Sequence, residues 1–451
     1  MNFIGVNIGK LTNLACKVTG RGGTSLPGKI ALKYDKTLIY DLLKNIKEKI
    51  IITGTNGKTT TSGLISSILI KSGKNVVNNR EGANMASGIA TALLKNSNIF
   101  GELRKDMAVF EIDEANMPLL LEDINPKIVL ITNFFRDQLD RYGELDNIIQ
   151  KVKNSIQKLP KDSIVLLNAD DPFTASLANE SKVKIFYYGI NDDFKNTYIS
   201  QTFEQKYCPV CGSKYVYKKV YYGQLGDYYC PKCGNKRPDL DFYAYNLNFS
   251  EDGISFNLKY NDKILSIKSN LSGSYNVYNI TAAAAVSLLL NINIQDIQEG
   301  IKNYNPIAGR LQKTYLKNKK TLINLVKNPI AFESTLIMIN EINKPLNLVV
   351  AINDNFADGR DISWIWDVNF EDFISNTKIN KIITTGLRAE DMALRFKYAG
   401  VKTDNIFIIN PIEKALLKAA DITNDELIVV LPNYTALHDI NKFFKMRRQN
   451  I

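Results

Sequence analysis

KIIITGTNGKTTTSGLISSILIKSG, residues 49–73, is an apolar run, a glycine turn and a helical pattern in direct succession. The run at 49–54 predicts a strand, and the helix opens at Lys58. A strand that turns through glycines into a helix presents backbone N–H groups and the helix N-terminus to an anion. Gly54, Thr55, Asn56, Gly57, Lys58, Thr59 and Thr60 are therefore candidate nucleotide-binding residues, with Lys58 on the β- and γ-phosphates and the Thr59 hydroxyl on Mg²⁺. The spacing is shorter than the common phosphate loop, since Ile52 occupies the position of its first glycine.

Working outward, MAVFEID (107–113), KIVLITN (127–133) and SIVLLNAD (163–170) read as further strands separated by helical stretches. This alternation predicts an α/β fold with a mostly parallel sheet. A hairpin follows at 252–270, turning at Asn261-Asp262, and then an Ala-rich helix at 276–291. Near Pro306 and Gly309 the pattern breaks, and a second α/β block begins. The expected organisation is an N-terminal arm (1–48), an ATP-binding domain (49–304) and a C-terminal α/β domain (305–451).

The resemblance to the Mur ligases and folylpolyglutamate synthetases rests on several segments. GTNGKTTT is their form of the loop, and EGANMASG (81–88) matches a segment after the second strand. FEIDE (110–114) places Glu111 where the family binds Mg²⁺. ITNFFRDQLDRYGELD (131–146), LNADDP (167–172), SGSYNVYNITAAAA (272–285) and AGR (308–310) follow in family order. The resemblance implies nucleotide contacts from Asn133, Asn168, Asp170 and Arg310, and catalytic roles for Lys58 and Glu111 in forming an acyl phosphate. Asp113 and Glu114 are weaker candidates beside Glu111. Two departures stand out: Gln138 and Tyr275 occupy positions where the family has histidines, which puts a second Mg²⁺ in question. Only about fifty residues precede the loop, too few for the UDP-sugar domain of ordinary Mur ligases.

Cys208-Pro-Val-Cys211-Gly and Cys230-Pro-Lys-Cys233-Gly have zinc-ribbon spacing. Four thiolates would close a structural Zn²⁺ site, worth roughly 10–16 kcal/mol to folding, within an insert at about 203–240. The neighbouring tyrosines and lysines leave nucleic-acid binding as a remote alternative, although core packing explains the tyrosines equally well.

The last stretch is AINDNFADGRDISWIWDVNFE (351–371), with both tryptophans, Trp364 and Trp366. Together with LPNYTAL (431–437), it resembles the branch of the family that amidates the D-glutamate α-carboxylate of the lipid II stem peptide to D-isoglutamine. That resemblance implies a separate glutaminase subunit of the GatD type, whose Cys-His pair Asp361 would complete across the interface, with Asp358 as the other candidate. The composition agrees: His438 is the only histidine and Cys16 the only cysteine outside the cluster, and neither has a local catalytic motif. A stand-alone amino-acid ligase of the Mur or folate type is the alternative. Lys327-Asn328-Pro329 is a candidate substrate or phosphate contact, or simply a helix start.

No apolar run approaches the ~18 residues of a membrane span, and no signal peptide is read at the N-terminus. The expected location is cytoplasmic, at the inner membrane face. The formal charge of +11 and Lys10, Lys17 and Arg21 suit approach to anionic lipid or pyrophosphate.

Overall fold

The computed structural model describes residues 3–19, 23–79, 83–135, 145–179, 181–193, 206–250, 253–306, 312–342 and 344–448. Arg21, Glu81, Gly82, Gln138 and Arg310 lie outside them.

The strands, in chain order, are β1 (Glu48–Thr53), β2 (Val76–Asn78), β3 (Met107–Glu111), β4 (Ile128–Ile131), β5 (Ile164–Asn168) and β6 (Lys184–Ile190). The insert supplies β7 (Val216–Tyr222) and β8 (Leu225–Tyr229), followed by β9 (Phe242–Ser250), β10 (Gly253–Tyr260) and β11 (Lys263–Ser269). The second block holds β12 (Gln312–Leu316), β13 (Lys319–Ile323), β14 (Leu346–Ala351), β15 (Ile379–Thr385), β16 (Ile406–Ile408) and β17 (Leu427–Pro432).

The first sheet runs β11-β10-β9-β6-β5-β4-β1-β3-β2. Its parallel part centres on β1, paired with β3 and β4. Ile50, Ile51 and Ile52 are fully buried because helices cover both faces. The hairpin expected at 252–270 is β10–β11, and Asn261 takes the positive φ of its turn. It extends the sheet antiparallel, because β9, which carries no strong apolar run, bridges it to β6. The second sheet, β12-β13-β17-β14-β15-β16, is parallel apart from the β12–β13 hairpin.

The helix Lys58–Lys71 is buried on nearly all sides, which its apolar-and-small composition permits. Gly300 sits on it so closely that a Cβ would lie 2.5 Å from Ile68 Cα. Residues before β1 form three helices, Phe3–Val18, Leu26–Tyr34 and Leu38–Leu43. Lys10 corrects the expectation that it faces lipid. Its Nζ turns inward to the carbonyl oxygens of Leu94 (2.8 Å) and Ser97, at the C-terminal end of the helix Ala86–Asn96. Those last-turn carbonyls have no intrahelical partner, so they attract a cation.

Candidate active site

The C-terminal ends of β1, β3, β4 and β5 bring four loops together, the usual position for a ligand in a parallel sheet. The first is the loop 54–57. Gly54 (φ +116°) and Gly57 (φ +86°) adopt backbone conformations that disfavour any side chain. A Cβ would meet Thr132 Oγ1 at 2.4 Å from Gly54, and Asn279 Oδ1 at 2.2 Å from Gly57. Asn133 fastens the loop: its carbonyl accepts Thr55 N–H (2.8 Å), its Oδ1 accepts Asn56 N–H (2.9 Å), and its Nδ2 donates to Asn56 O (3.2 Å).

Lys58 is buried at the helix start. Its Nζ donates to the Gly54 and Thr55 carbonyls and is ion-paired with Glu114 Oε2 at 3.0 Å. Burial alone would raise the Glu114 pKa. The Lys58 ammonium, with a smaller pull from Lys327, outweighs it and leaves the carboxyl below its ordinary value. Glu114 is thus the lysine's partner, a role the sequence did not single out. Glu111 is different. Asn79 holds its backbone from both sides (3.0 and 2.8 Å), while its Oε2 is buried without a hydrogen-bond partner. A buried orphan carboxylate oxygen beside a phosphate loop fits a Mg²⁺ ligand.

Asn168 and Asp170 depart from expectation. Asn168 is fully buried and bonded to Thr132 O (2.9 Å) and Asp170 N–H (3.1 Å). Asp170 receives Arg237 Nη1 (3.0 Å) on Oδ1, and Ile190 N–H (2.9 Å) and Tyr278 OH (2.8 Å) on Oδ2. Both side chains face the interior, because a fully buried carboxylate must satisfy its lone pairs within the protein. Burial pushes the Asp170 pKa up to about 6 against the pull of Arg237.

Asn276 and Asn279 form the N-x-x-N of 272–285, a pattern to which spacing alone assigns no role. The structure sets them against the loop. Asn279 Oδ1 accepts the Thr61 hydroxyl at 3.3 Å, and Asn279 Nδ2 donates to Asn276 Oδ1 at 2.9 Å. They line a cavity of about 80 Å³ with Asn56, Gly57, Thr60, Tyr222 and Tyr275, to which the second block contributes Asn324 and Ser334. Asn56 Nδ2 is buried there without a partner. Asn328 Nδ2 lies 3.5 Å from Asn56 Oδ1, so the Lys327-Asn328-Pro329 turn reaches the loop. Asn328 also caps the helix Pro329–Ile342 through Ala331 N–H.

The four cysteine Sγ atoms all lie within 4.8 Å of one another. Each pair sits on a knuckle closed by a positive-φ glycine, Gly212 N–H to Cys208 O and Gly234 N–H to Cys230 O. That donor set fits tetrahedral Zn²⁺. Tyr215 and Tyr228 pack edge-on at 5.0 Å beneath it, so these tyrosines are core. The ribbon is not a pendant. The β7–β8 tip enters the main core: Gln224 Nε2 donates to Phe134 O (2.8 Å) and Asp171 Oδ1 (2.9 Å), and Tyr222 packs against Phe135 and Tyr275.

In the second block, Asp358 is buried and accepts both the N–H (2.8 Å) and the hydroxyl (2.6 Å) of Thr435. Asn433 and Asn353 exchange two further bonds, so the 351–371 and 431–437 stretches form one unit. Asp361 is exposed. Ser363 holds its carboxyl below the ordinary value, with the Ser363 N–H 2.8 Å from Oδ1. Trp364 packs on Phe332, while Trp366 lies under Arg395. Cys16 is buried in the first helix and His438 is exposed on the last.

The loop, its lysine and the orphan carboxylate, set between two α/β units, define an ATP-dependent ligase of the Mur type. The family model for the Mur ligase middle domain matches residues 52–229 and 227–287, and that for the MurT ligase C-terminal matches 325–437. The chain is 38% identical over 432 residues to the lipid II isoglutaminyl synthase (glutamine-hydrolyzing) subunit MurT of Staphylococcus aureus (strain COL), covering 96% of this chain and 95% of that one. The subunit of the same name from Streptococcus pneumoniae (strain ATCC BAA-255 / R6) is 33% identical over 453 residues, covering 99% and 97%. Among solved structures, a pseudomurein peptide ligase type C from Methanothermus fervidus superposes with a TM-score of 0.68 at 25% identity, over 90% of this chain and 81% of that one. MurF from Acinetobacter baumannii gives 0.67 at 17% identity, over 92% and 79%, a likeness of fold. The chain belongs to the MurT family of Mur ligases.

Proposed function

We propose that this protein uses ATP to amidate the D-glutamate α-carboxylate of the lipid II stem peptide, with ammonia from a separate glutaminase subunit. The observation that carries this reading is the match over nearly the whole chain to subunits named for that reaction. The site chemistry supports it.

A carboxylate oxygen attacks the γ-phosphorus and ADP leaves, giving an acyl phosphate. Ammonia then attacks the acyl carbon, inorganic phosphate leaves with the acyl–oxygen electron pair, and loss of a proton yields the amide. Lys58, the loop amides and the Asn56 amide neutralise charge on the moving phosphoryl group. Thr59 and Glu111 would hold Mg²⁺, which when bound screens the phosphate oxygens. The cysteines would hold a structural Zn²⁺. Asp361 is the exposed carboxylate that can meet an imidazole on a partner, whereas Asp358 is committed to Thr435. With Cys16 buried and His438 exposed on another element, the thiolate and imidazole of glutamine hydrolysis are assigned to the partner chain. The chemistry takes place at the inner membrane face, where the substrate's lipid is anchored.

The test is reconstitution with the glutaminase chain, following conversion of lipid II and trapping the acyl phosphate with hydroxylamine. Amide formation that needs ATP, glutamine and both chains is expected. ATP-driven addition of a free amino acid by this chain alone would replace the reading with a stand-alone ligase.

A further inference from the structure

The helix Phe3–Val18 has two unlike faces. Gly5, Val6, Gly9 and Cys16 are buried against neighbouring helices. The fit is close: a Cβ at Gly5 would stand 2.6 Å from Asp35 Cβ, and one at Gly9 would stand 2.5 Å from Leu94 Cδ1. The opposite face carries Ile4, Leu11, Leu14 and Val18, which are 61%, 66%, 58% and 81% exposed. Their spacing follows the helical repeat, so they form an apolar stripe on the solvent side of the helix, broken by the exposed Asn7.

Charge gathers in the same segment. Residues 1–47 contain eight Lys or Arg and two acids, more than half of the chain's +11 in about a tenth of its length. Lys10 is spent on a helix end, but Lys17, Lys29, Lys33 and Lys36 are exposed.

An apolar stripe on a helix too short to span a bilayer, set among lysines, is the pattern of a segment lying in a membrane interface. We propose that this arm docks on an anionic bilayer, with Ile4, Leu11, Leu14 and Val18 at the headgroup–acyl boundary and the lysines on lipid phosphates. Its place in the fold suits a lipid-linked substrate, a point that rests on the function proposed above. Thr24, just beyond the helix, lines a polar cavity of about 150 Å³ with Asn79 and Lys95, and Asn79 holds the Glu111 backbone. The segment after the arm's first helix thus shares a cavity wall with the residue that holds the Glu111 backbone.

The experiment is flotation of the full zinc-loaded chain with vesicles of mixed phosphatidylglycerol and phosphatidylcholine, and of phosphatidylcholine alone. Binding to the mixed vesicles only is expected. Leu11→Gln with Leu14→Gln should lower the partition coefficient roughly tenfold or more. Lys29→Gln with Lys33→Gln, which disturbs no packing, should lower it by about fivefold per lysine. Absent binding, equal binding to neutral vesicles, or variants that bind as wild type would overturn the proposal. So would Leu11→Gln converting a dimer to a monomer, or the glutaminase chain shielding the stripe from hydrogen exchange. Amidation of a water-soluble, short-chain lipid II analogue is measured in parallel. Its loss in wild type with vesicle binding intact counts against the function and not the docking. Intact amidation without vesicle binding does the reverse.

Discussion

Lys58 Nζ and Glu114 Oε2 form a buried ion pair, 3.0 Å apart, at the mouth of the phosphate loop. Breaking a buried pair from one side leaves an uncompensated charge, which costs about 3–5 kcal/mol. Glu114→Gln should therefore lower the melting temperature of the ligand-free protein. Added ATP should raise it by more than in wild type, since phosphate then becomes the lysine's only anion. The Glu114 carboxyl is held below its ordinary value of 4.5, so its stabilisation is complete above that pH and is lost as pH falls further. Thermal shift with and without nucleotide across acid pH reads both effects.

Removing zinc should weaken nucleotide binding, although the cysteines do not touch the cavity. The ribbon holds the hairpin whose tip contributes Tyr222 to the cavity wall and Gln224 to Asp171. Cys211→Ser or chelation should release amide-exchange protection at 221–226 and reduce ATP affinity by calorimetry. Gln224→Ala alone should cost about 1–3 kcal/mol, because a buried acceptor loses its donor.

Arg237→Leu separates the charge and packing contributions at Asp170. Without the guanidinium the carboxylate is buried with no counter-charge, keeping only Ile190 N–H and Tyr278 OH, a loss of about 3 kcal/mol or more at pH 8. Burial raises the Asp170 pKa to about 6 even against the pull of Arg237, so loss of the guanidinium raises it further. The penalty should shrink as pH falls from 8 to 5, where the variant's carboxyl is neutral. Urea denaturation at the two pH values checks this, and an equal loss at both would contradict it.

Asp361→Asn should abolish glutamine-driven amidation, by about 10⁴ if the carboxylate orients an imidazole as in a serine-protease triad. It should spare ammonia-driven amidation and ATP binding. An Asn Oδ1 can still accept the Ser363 N–H, so the melting temperature should hold. Asp358→Asn should instead destabilise, because its two bonds from Thr435 need an acceptor on each oxygen and an amide offers only one. Kinetics with glutamine and with ammonium, beside thermal melts, separate the two.

The strand-turn-helix at 49–73, the parallel α/β alternation and the two cysteine knuckles were legible because each is a local pattern. Glycine φ, side-chain period and ligand spacing are properties of a few consecutive residues. The β10–β11 hairpin was legible for the same reason. Its place at the edge of the main sheet was not, because that depends on β9 meeting β6 across a long insert. Site residues divide in the same way. Lys58 and Glu111 stand at the ends of readable elements. Glu114 became the lysine's partner, and Asn279 the neighbour of Gly57, through contacts between residues 56 and 222 positions apart. Asn168 and Asp170 carry a family-like pattern, yet burial turned them inward, where low polarity makes every lone pair need a protein donor. The same holds for Asp358 and Asp361: three residues apart and alike in composition, they differ because Thr435 folds back onto only one of them. Sequence thus carries the chemistry available at each turn, and the long-range packing decides which of those groups remain free to use it.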